Sequence, residues 1–209
     1  MSIFTVLYDW GGLNLEVFTT INGFRGPLID DLMLAGTQLG DVWNAAWIVM
    51  ALLLLIEIRR VAPQNPVISL LPDERILSVV LSAFVVGSVI ATALVFAAKA
   101  GFHMPRPYNA LPNGSVKVLA AAINDPYSFP SGHAAFAMLV VWIMWPYSQK
   151  IWRAPLTLCV FWVGISRISV GAHFPADVLA GYIFGGFSGW LATKVMSHGL
   201  MTKQRQVLG

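Results

Sequence analysis

The chain has 209 residues, 57% of them hydrophobic and only 11% charged, and its mean hydropathy is +0.70. A water-soluble domain carries about 25% charged residues, so this composition excludes an ordinary soluble domain, and it excludes a disordered chain as well. One cysteine, Cys159, excludes an intramolecular disulfide scaffold and a Cys-based metal cluster, and the net charge of +3 arises from scattered residues, so no nucleic-acid partner is expected.

What remains is an integral membrane protein of one domain, residues 1–209. In residues 1–40 every apolar run is broken by Asp9, Glu16, Arg25, Asp30 or Asp31. Leu13, Val17, Ile21 and Phe24 fall at helical spacing, and Leu28, Leu32, Leu34 and Leu39 form a second stripe. This pattern predicts amphipathic helices lying at an interface or over a bundle. No basic segment followed by an apolar one marks a secretory signal. Five apolar runs follow: Val42 to Leu55 and on into Ile56, Ile76 to Ala98, Gly132 to Tyr147, Pro155 to Ile168, and Ala176 to Met196. Trp43, Trp145, Tyr147 and Trp152 sit at their ends as interfacial anchors. Gly181, Gly185 and Gly189 recur every four residues in the last run, a pattern for close helix packing in lipid. The expected fold is an all-α polytopic membrane helix bundle of about five transmembrane helices.

Eight of the thirteen basic residues share one side of such a bundle: Arg59, Arg60 and Arg75; Lys150 and Arg153; Lys194, Lys203 and Arg205. The positive-inside rule makes that side cytoplasmic. Three others, Lys99, Arg106 and Arg167, belong to span ends on the opposite, outer side. A single cation there ordinarily snorkels to water. These three occur in company: Lys99, six residues, then Arg106-Pro107; Phe129-Pro130-Ser131-Gly132-His133 opening a span; and Ser166-Arg167, five residues, His173, three residues, Asp177. Three permanent cations beside a low-dielectric slab call for an anion, and arginine forks suit phosphate oxygens. A helix starting at Ser131-Gly132 would aim its N–H groups and positive dipole end at the same anion, with Gly132 allowing close approach. Pro175 suits the first position of the last helix, which makes Asp177 the third, able to fold back over the helix start and reach His173. A carboxylate accepting from one imidazole nitrogen leaves the other nucleophilic.

The three segments resemble the tripartite signature of the type 2 phosphatidic acid phosphatase superfamily, matching it at every motif position between 99 and 177. The resemblance implies that Lys99, Arg106, Arg167, the Ser131 hydroxyl and the Gly132 N–H bind phosphate, that His173 attacks phosphorus, that Asp177 orients His173, and that His133 protonates the leaving oxygen. It implies no cofactor. No Asp/Glu cluster suited to Mg²⁺ accompanies the motifs, so a metal-independent hydrolase is expected. The stretch around Ile21-Asn22, Asp31 and Thr37-Gln38-Leu39-Gly40 is similar to the N-terminal region of bacterial members and carries no catalytic assignment.

An outward-facing site among spans suits a lipid whose tail stays in the membrane, and the short chain resembles the undecaprenyl pyrophosphate phosphatases of the bacitracin-resistance type. The expected place is a bacterial inner membrane, with the site facing the periplasm. Lipid A 1-phosphatases, phosphatidylglycerophosphate phosphatases and lipid phosphotransferases share the motifs, because the signature reads the phosphate and not the tail. A soluble vanadium haloperoxidase is disfavoured by the apolar runs, and an anion transporter has no need of His173 with an Asp partner. His103 falls at a free position of the first motif, His198 in a polar tail, and Lys117 in the outer loop, where it is expected to be solvated. Asp125 is expected to position its loop and not to be catalytic. Oligomeric state leaves no mark in the sequence.

Overall fold

Apolar runs of this length fold as helices because lipid offers no partner for a free backbone amide. In the computed structural model, which describes residues 8–119 and 125–208 with side chains to Met196, these helices are α1 (Leu13–Gly23), α2 (Pro27–Leu39), α3 (Asn44–Val61), α4 (Glu74–Phe102), the single turn α5 (Pro107–Ala110), α6 (Gly132–Met144), α7 (Lys150–Ser169) and α8 (Pro175–Leu208). Among the described residues there is no β-strand. His198, Lys203 and Arg205 lie outside the described side chains.

α4 and α7 are each long and apolar enough to cross a membrane. α2 and α3 meet that test together as a pair bent by 58° at the Gly40–Trp43 break. α6, extended by a 3₁₀ turn through Tyr147, is apolar but short. The apolar runs are thus helices of uneven length within an all-α membrane bundle. α6 is set inside the bundle, with Ala134, Ala135, Phe136, Ala137, Leu139 and Ile143 buried. Outward-facing side chains such as Val89, Phe96, Leu158 and Ile183 remain exposed, as a lipid-facing surface requires.

α4, α6 and α8 form the centre. Ala83, Phe84 and Ala91 of α4 pack with Phe136, Leu139 and Ile143 of α6 and Ala192 of α8. The glycine stripe makes the α6–α8 contact possible. A Cβ on Gly181 would overlap Ser131 O, one on Gly185 would overlap Ala135 O, and one on Gly189 would come within 2.9 Å of Trp142 Cδ1. Backbone lies against backbone along this seam, as small residues allow in lipid.

The N-terminal helices do not float at an interface but pack over the bundle. Phe18 of α1 is 1% exposed, within a cluster of Ala134, Ile168, Phe174 and Val178. Trp162 Nε1 of α7 donates to Leu32 O of α2 at 3.1 Å, next to Gly36. Asn22 joins three segments: its Nδ2 donates to Lys117 O at 2.8 Å and Ser169 O at 2.9 Å, and its Oδ1 accepts from Lys117 N at 2.9 Å. Arg25 Nη2 donates to the same two carbonyls. Gly171, beyond α7, has φ +78°, and a Cβ there would approach Lys117 O to 2.8 Å. Only glycine serves at that crossing.

Chain direction alternates, so the C-terminal ends of α4 and α7 meet the N-terminal ends of α6 and α8 at one end of the bundle. The opposite end carries the Arg59–Asp73 and Arg60–Glu74 ion pairs between α3 and α4, and Arg153 stacked 5.2 Å from the Trp145 ring.

Gly185→Val forces a side chain into the Ala135 backbone. Overpacking of this kind costs about 1–3 kcal/mol and more where backbone must move. The expected outcome is a lowered thermal midpoint and a reduced yield of monodisperse protein in detergent, whereas Gly186→Ala, whose Cβ would meet only side-chain atoms at 3.6 Å or beyond, is tolerated.

Candidate active site

The site is built on helix ends. Pro175 is the first residue of α8 and Asp177 the third. Asp177 is fully buried and folds back over the helix start, its Oδ2 accepting from Phe174 N at 2.8 Å. The same oxygen accepts from Ser128 Oγ, and Oδ1 accepts from Tyr8 OH at 2.9 Å. Burial and the Asp177 carboxylate push the Tyr8 phenol pKa upward, which keeps it a donor. Asn14 Oδ1 from α1 takes a further N–H of this helix start, that of Ala176, at 3.0 Å.

His173 lies in the turn between α7 and α8 and is 2% exposed. Its Nδ1 is 3.5 Å from Asp177 Oδ2 and has no hydrogen-bond partner among the described residues. The expected contact is thus proximity, beyond the usual N–H···O range, because Ser128 and the Phe174 N–H engage that oxygen. The other nitrogen, Nε2, faces Arg106 Nη1 at 3.3 Å. Burial, followed by the charges of Arg167, Arg106 and Lys99, holds the imidazole well below its ordinary pKa, so His173 is neutral at physiological pH and can accept at Nε2.

The three cations come from three elements, and the charges of all three act on His173. Lys99, in the last turn of α4, donates to Tyr127 O at 2.6 Å and lies 2.8 Å from Asp125 Oδ2. Arg106, 3% exposed, donates through Nη1 to Ala172 O at 3.0 Å and through Nε to Asp125 O at 2.7 Å. Arg167, in the last turn of α7 and also 3% exposed, donates to Thr37 Oγ1 at 3.4 Å, while its Nε has no partner among the described residues. These arginines do not snorkel into water.

α6 supplies the fourth side. Ser131 is its N-cap and fully buried, its Oγ accepting from Ala134 N at 3.4 Å and its own N–H donating to Asp177 O at 2.9 Å. The first two N–H groups of the helix, on Gly132 and His133, make no hydrogen bond among the described residues. A Cβ on Gly132 would meet only Val95 Cγ1 at 4.0 Å, so this side of the helix start is uncrowded. His133 packs under Gly40 of the α2–α3 break, and the charge of Asp41 acts on both His133 and Arg167. The structure thus gathers Lys99, Arg106, Ser131, Gly132, His133, Arg167, His173 and Asp177 at one place.

His103 is apart from this set. It ends α4 in the left-handed region at φ 50° and its ring lies 4.8 Å from that of Tyr127, a loop role. Lys117 acts through its backbone, gripped by Asn22 and Arg25. Two site residues escape sequence reasoning, Tyr8, 169 positions from its partner Asp177, and Ser128; Thr37, which lies in a family-like stretch without a catalytic assignment, contacts Ser166 at 3.1 Å. Neither Tyr8 nor Ser128 carried a local signal, since Ser128 lies just outside the motif at 129–133 and Tyr8 far from any motif. Asp125 does more than hold its loop, since it pairs with two of the cations.

The family model for the PAP2 superfamily matches residues 74–199. The chain is 30% identical over 203 residues to a Sulfolobus acidocaldarius protein named undecaprenyl-diphosphatase, covering 94% of this chain and 85% of that one. The crystal structure of Aquifex aeolicus LpxE superposes with a TM-score of 0.68 at 28% identity, over 87% of this chain and 95% of the other. A transmembrane PAP2-type phosphatidylglycerolphosphate phosphatase from Bacillus subtilis shares the fold, with a TM-score of 0.64 at 19% identity over 93% and 92% of the two chains. With a cradle of buried cations around a neutral histidine at the end of an apolar helix bundle, and a family match over more than half its length, the chain belongs to the PAP2 superfamily and is a membrane phosphatase.

Proposed function

We propose that the protein releases phosphate from a polyprenyl pyrophosphate, undecaprenyl pyrophosphate, through a phosphohistidine. The observation that carries the chemistry is Nε2 of the buried His173 facing Arg106 Nη1 at 3.3 Å, with Arg167 buried and Lys99 largely buried in the same site. The lipid is suggested by the Sulfolobus relative, which aligns along nearly the whole chain.

In this reading Lys99, Arg106 and Arg167, with the Ser131 hydroxyl and the Gly132 N–H, hold the equatorial oxygens of the phosphoryl group. His173 Nε2 attacks phosphorus in line, and the bond to the bridging oxygen breaks. The electron pair leaves with that oxygen, which takes a proton from His133 once the negative charge of the bound substrate has offset the neighbouring cations and left that imidazole protonated. Water, deprotonated by His133, then cleaves the N–P bond and frees inorganic phosphate. Asp177 stabilises the charge His173 gains, from 3.5 Å away. Fixed cations do the work a divalent metal would otherwise do, stabilising charge as it spreads over the oxygens. The cytoplasmic end is then the one bearing Arg59, Arg60, Lys150 and Arg153, and the site faces outward, the periplasm in a bacterial inner membrane.

Detergent-purified protein is expected to release phosphate from undecaprenyl pyrophosphate with EDTA present, faster than from phosphatidylglycerophosphate, phosphatidic acid or lipid A. A preference for another of these lipids replaces the substrate and keeps the chemistry. His173→Ala abolishes turnover without loss of folding, and appreciable residual hydrolysis would refute the nucleophile. Asp177→Asn lowers kcat by a factor on the order of 10²–10⁴. Vanadate inhibits, and activity lost to EDTA and restored by Mg²⁺ rules out the metal-free scheme. For sidedness, Asn113→Cys in a Cys159→Ser background reacts with an impermeant thiol reagent on intact cells; labelling only after lysis inverts the topology.

A further inference from the structure

Two of the three cations given a phosphate-binding role are already matched by an anion from the chain itself. Asp125 Oδ2 lies 2.8 Å from Lys99 Nζ and 3.3 Å from Arg106 Nη2. Arg167 has no carboxylate at ion-pair distance among the described residues, so the pairing is confined to one side of the cradle.

Anchoring the loop does not require this carboxylate. Ser128 N donates to Met104 O at 2.7 Å, Pro105 and Tyr127 form an antiparallel bridge, and Arg106 Nε holds the Asp125 carbonyl. The carboxylate also reaches the cations from a more exposed position than theirs: its side chain is 40% exposed, against 13% for Lys99 and 3% for Arg106. Burial opposes its charge, but the Lys99 ammonium, the Tyr127 N–H and Arg106 outweigh it and hold the carboxyl below its ordinary pKa. It is therefore an anion at neutral pH. A phosphoryl dianion seated on Lys99 and Arg106 would meet it at close range, and like charges at such a distance in a poorly screened site repel strongly.

We infer that Asp125 is a built-in competitor for the phosphate site: its carboxylate engages the Lys99 and Arg106 donors that the phosphoryl group needs, and substrate binds by displacing it. Asp125 thereby sets the affinity of the site for phosphate dianions and speeds their departure, since the carboxylate returns to the same donors as phosphate leaves. This rests on the cradle reading above.

The test compares wild type with Asp125→Asn, which keeps the shape and the acceptor for Tyr127 N–H but removes the charge, and with Asp125→Glu, which keeps the charge. Asp125→Ser serves in place of the amide should that variant not fold. Inorganic phosphate and orthovanadate are measured as inhibitors of hydrolysis, and phosphate binding is also followed by calorimetry in a His173→Ala background, where no turnover occurs. Losing a partly exposed ion-pair competitor should tighten phosphate and vanadate by about fivefold in Asp125→Asn. KM should fall with it, product inhibition should deepen, and Asp125→Glu should remain near wild type. Equal or weaker phosphate affinity in a folded Asp125→Asn or Asp125→Ser protein overturns the competitor role and leaves the cradle standing. Phosphate failing to bind wild type and variants alike overturns the cradle itself.

Discussion

The site depends on keeping three permanent cations at the end of an apolar helix bundle. Lys99, Arg106 and Arg167 are withdrawn from water, two of them almost completely. An unpaired charge in such a place is costly, and each is held by particular acceptors: Tyr127 O, Ala172 O and Asp125 for the first two, Thr37 Oγ1 for the third. The acceptors are mostly backbone carbonyls and one hydroxyl. Carbonyls and a hydroxyl hold a cation without neutralising it, and the single Asp125 carboxylate is shared by two of the three, so a positive field remains directed at His173. Burial first, and that field second, keep the imidazole unprotonated, and the same field would favour an anion brought to the site.

Asp177 ties this field to the rest of the fold. One buried carboxylate receives Tyr8 from the N-terminal segment, Ser128 from the loop before α6 and the Phe174 amide from its own helix start, while its backbone carbonyl receives the Ser131 N–H of α6. Four chain segments are thus indexed to one residue next to His173. The aromatic rings of Phe18, Phe174, Tyr8 and Phe129 close over it, with centroids 5.0 to 6.1 Å apart in successive pairs. Water is excluded, and the N-terminal helices become part of the site's architecture.

Precision at the helix ends comes from the seam below them. Gly181 and Gly185 let α8 lie on the α6 backbone at Ser131 and Ala135, which sets how far the α6 N-terminus stands from Asp177. The motif chemistry and the small-residue stripe are therefore parts of one device, since a shift along the seam would move the Gly132 N–H relative to His173. α6 is apolar, short and buried along much of its length.

The helical class, the apolar runs and the spaced cations were legible in the sequence because each is a local or periodic property: hydropathy, charge placement and the motif spacings at 99–107, 129–133 and 166–177. Helix ends at Pro175 and Ser131 were legible for the same reason, through capping chemistry. The N-terminal region was readable only as amphipathic, since an apolar stripe does not say what it packs against; α7 and the cluster around Phe18 decided that. Tyr8 reaching Asp177 and Asp125 pairing with Lys99 and Arg106 are likewise tertiary outcomes, whereas the approach of Asp177 to His173, four residues away, was legible and only its 3.5 Å separation was not. Sequence by itself determined which groups are present and which helix ends they occupy; tertiary structure decided which groups from separate segments meet, because such contacts are set by helix and loop packing and carry no local signature.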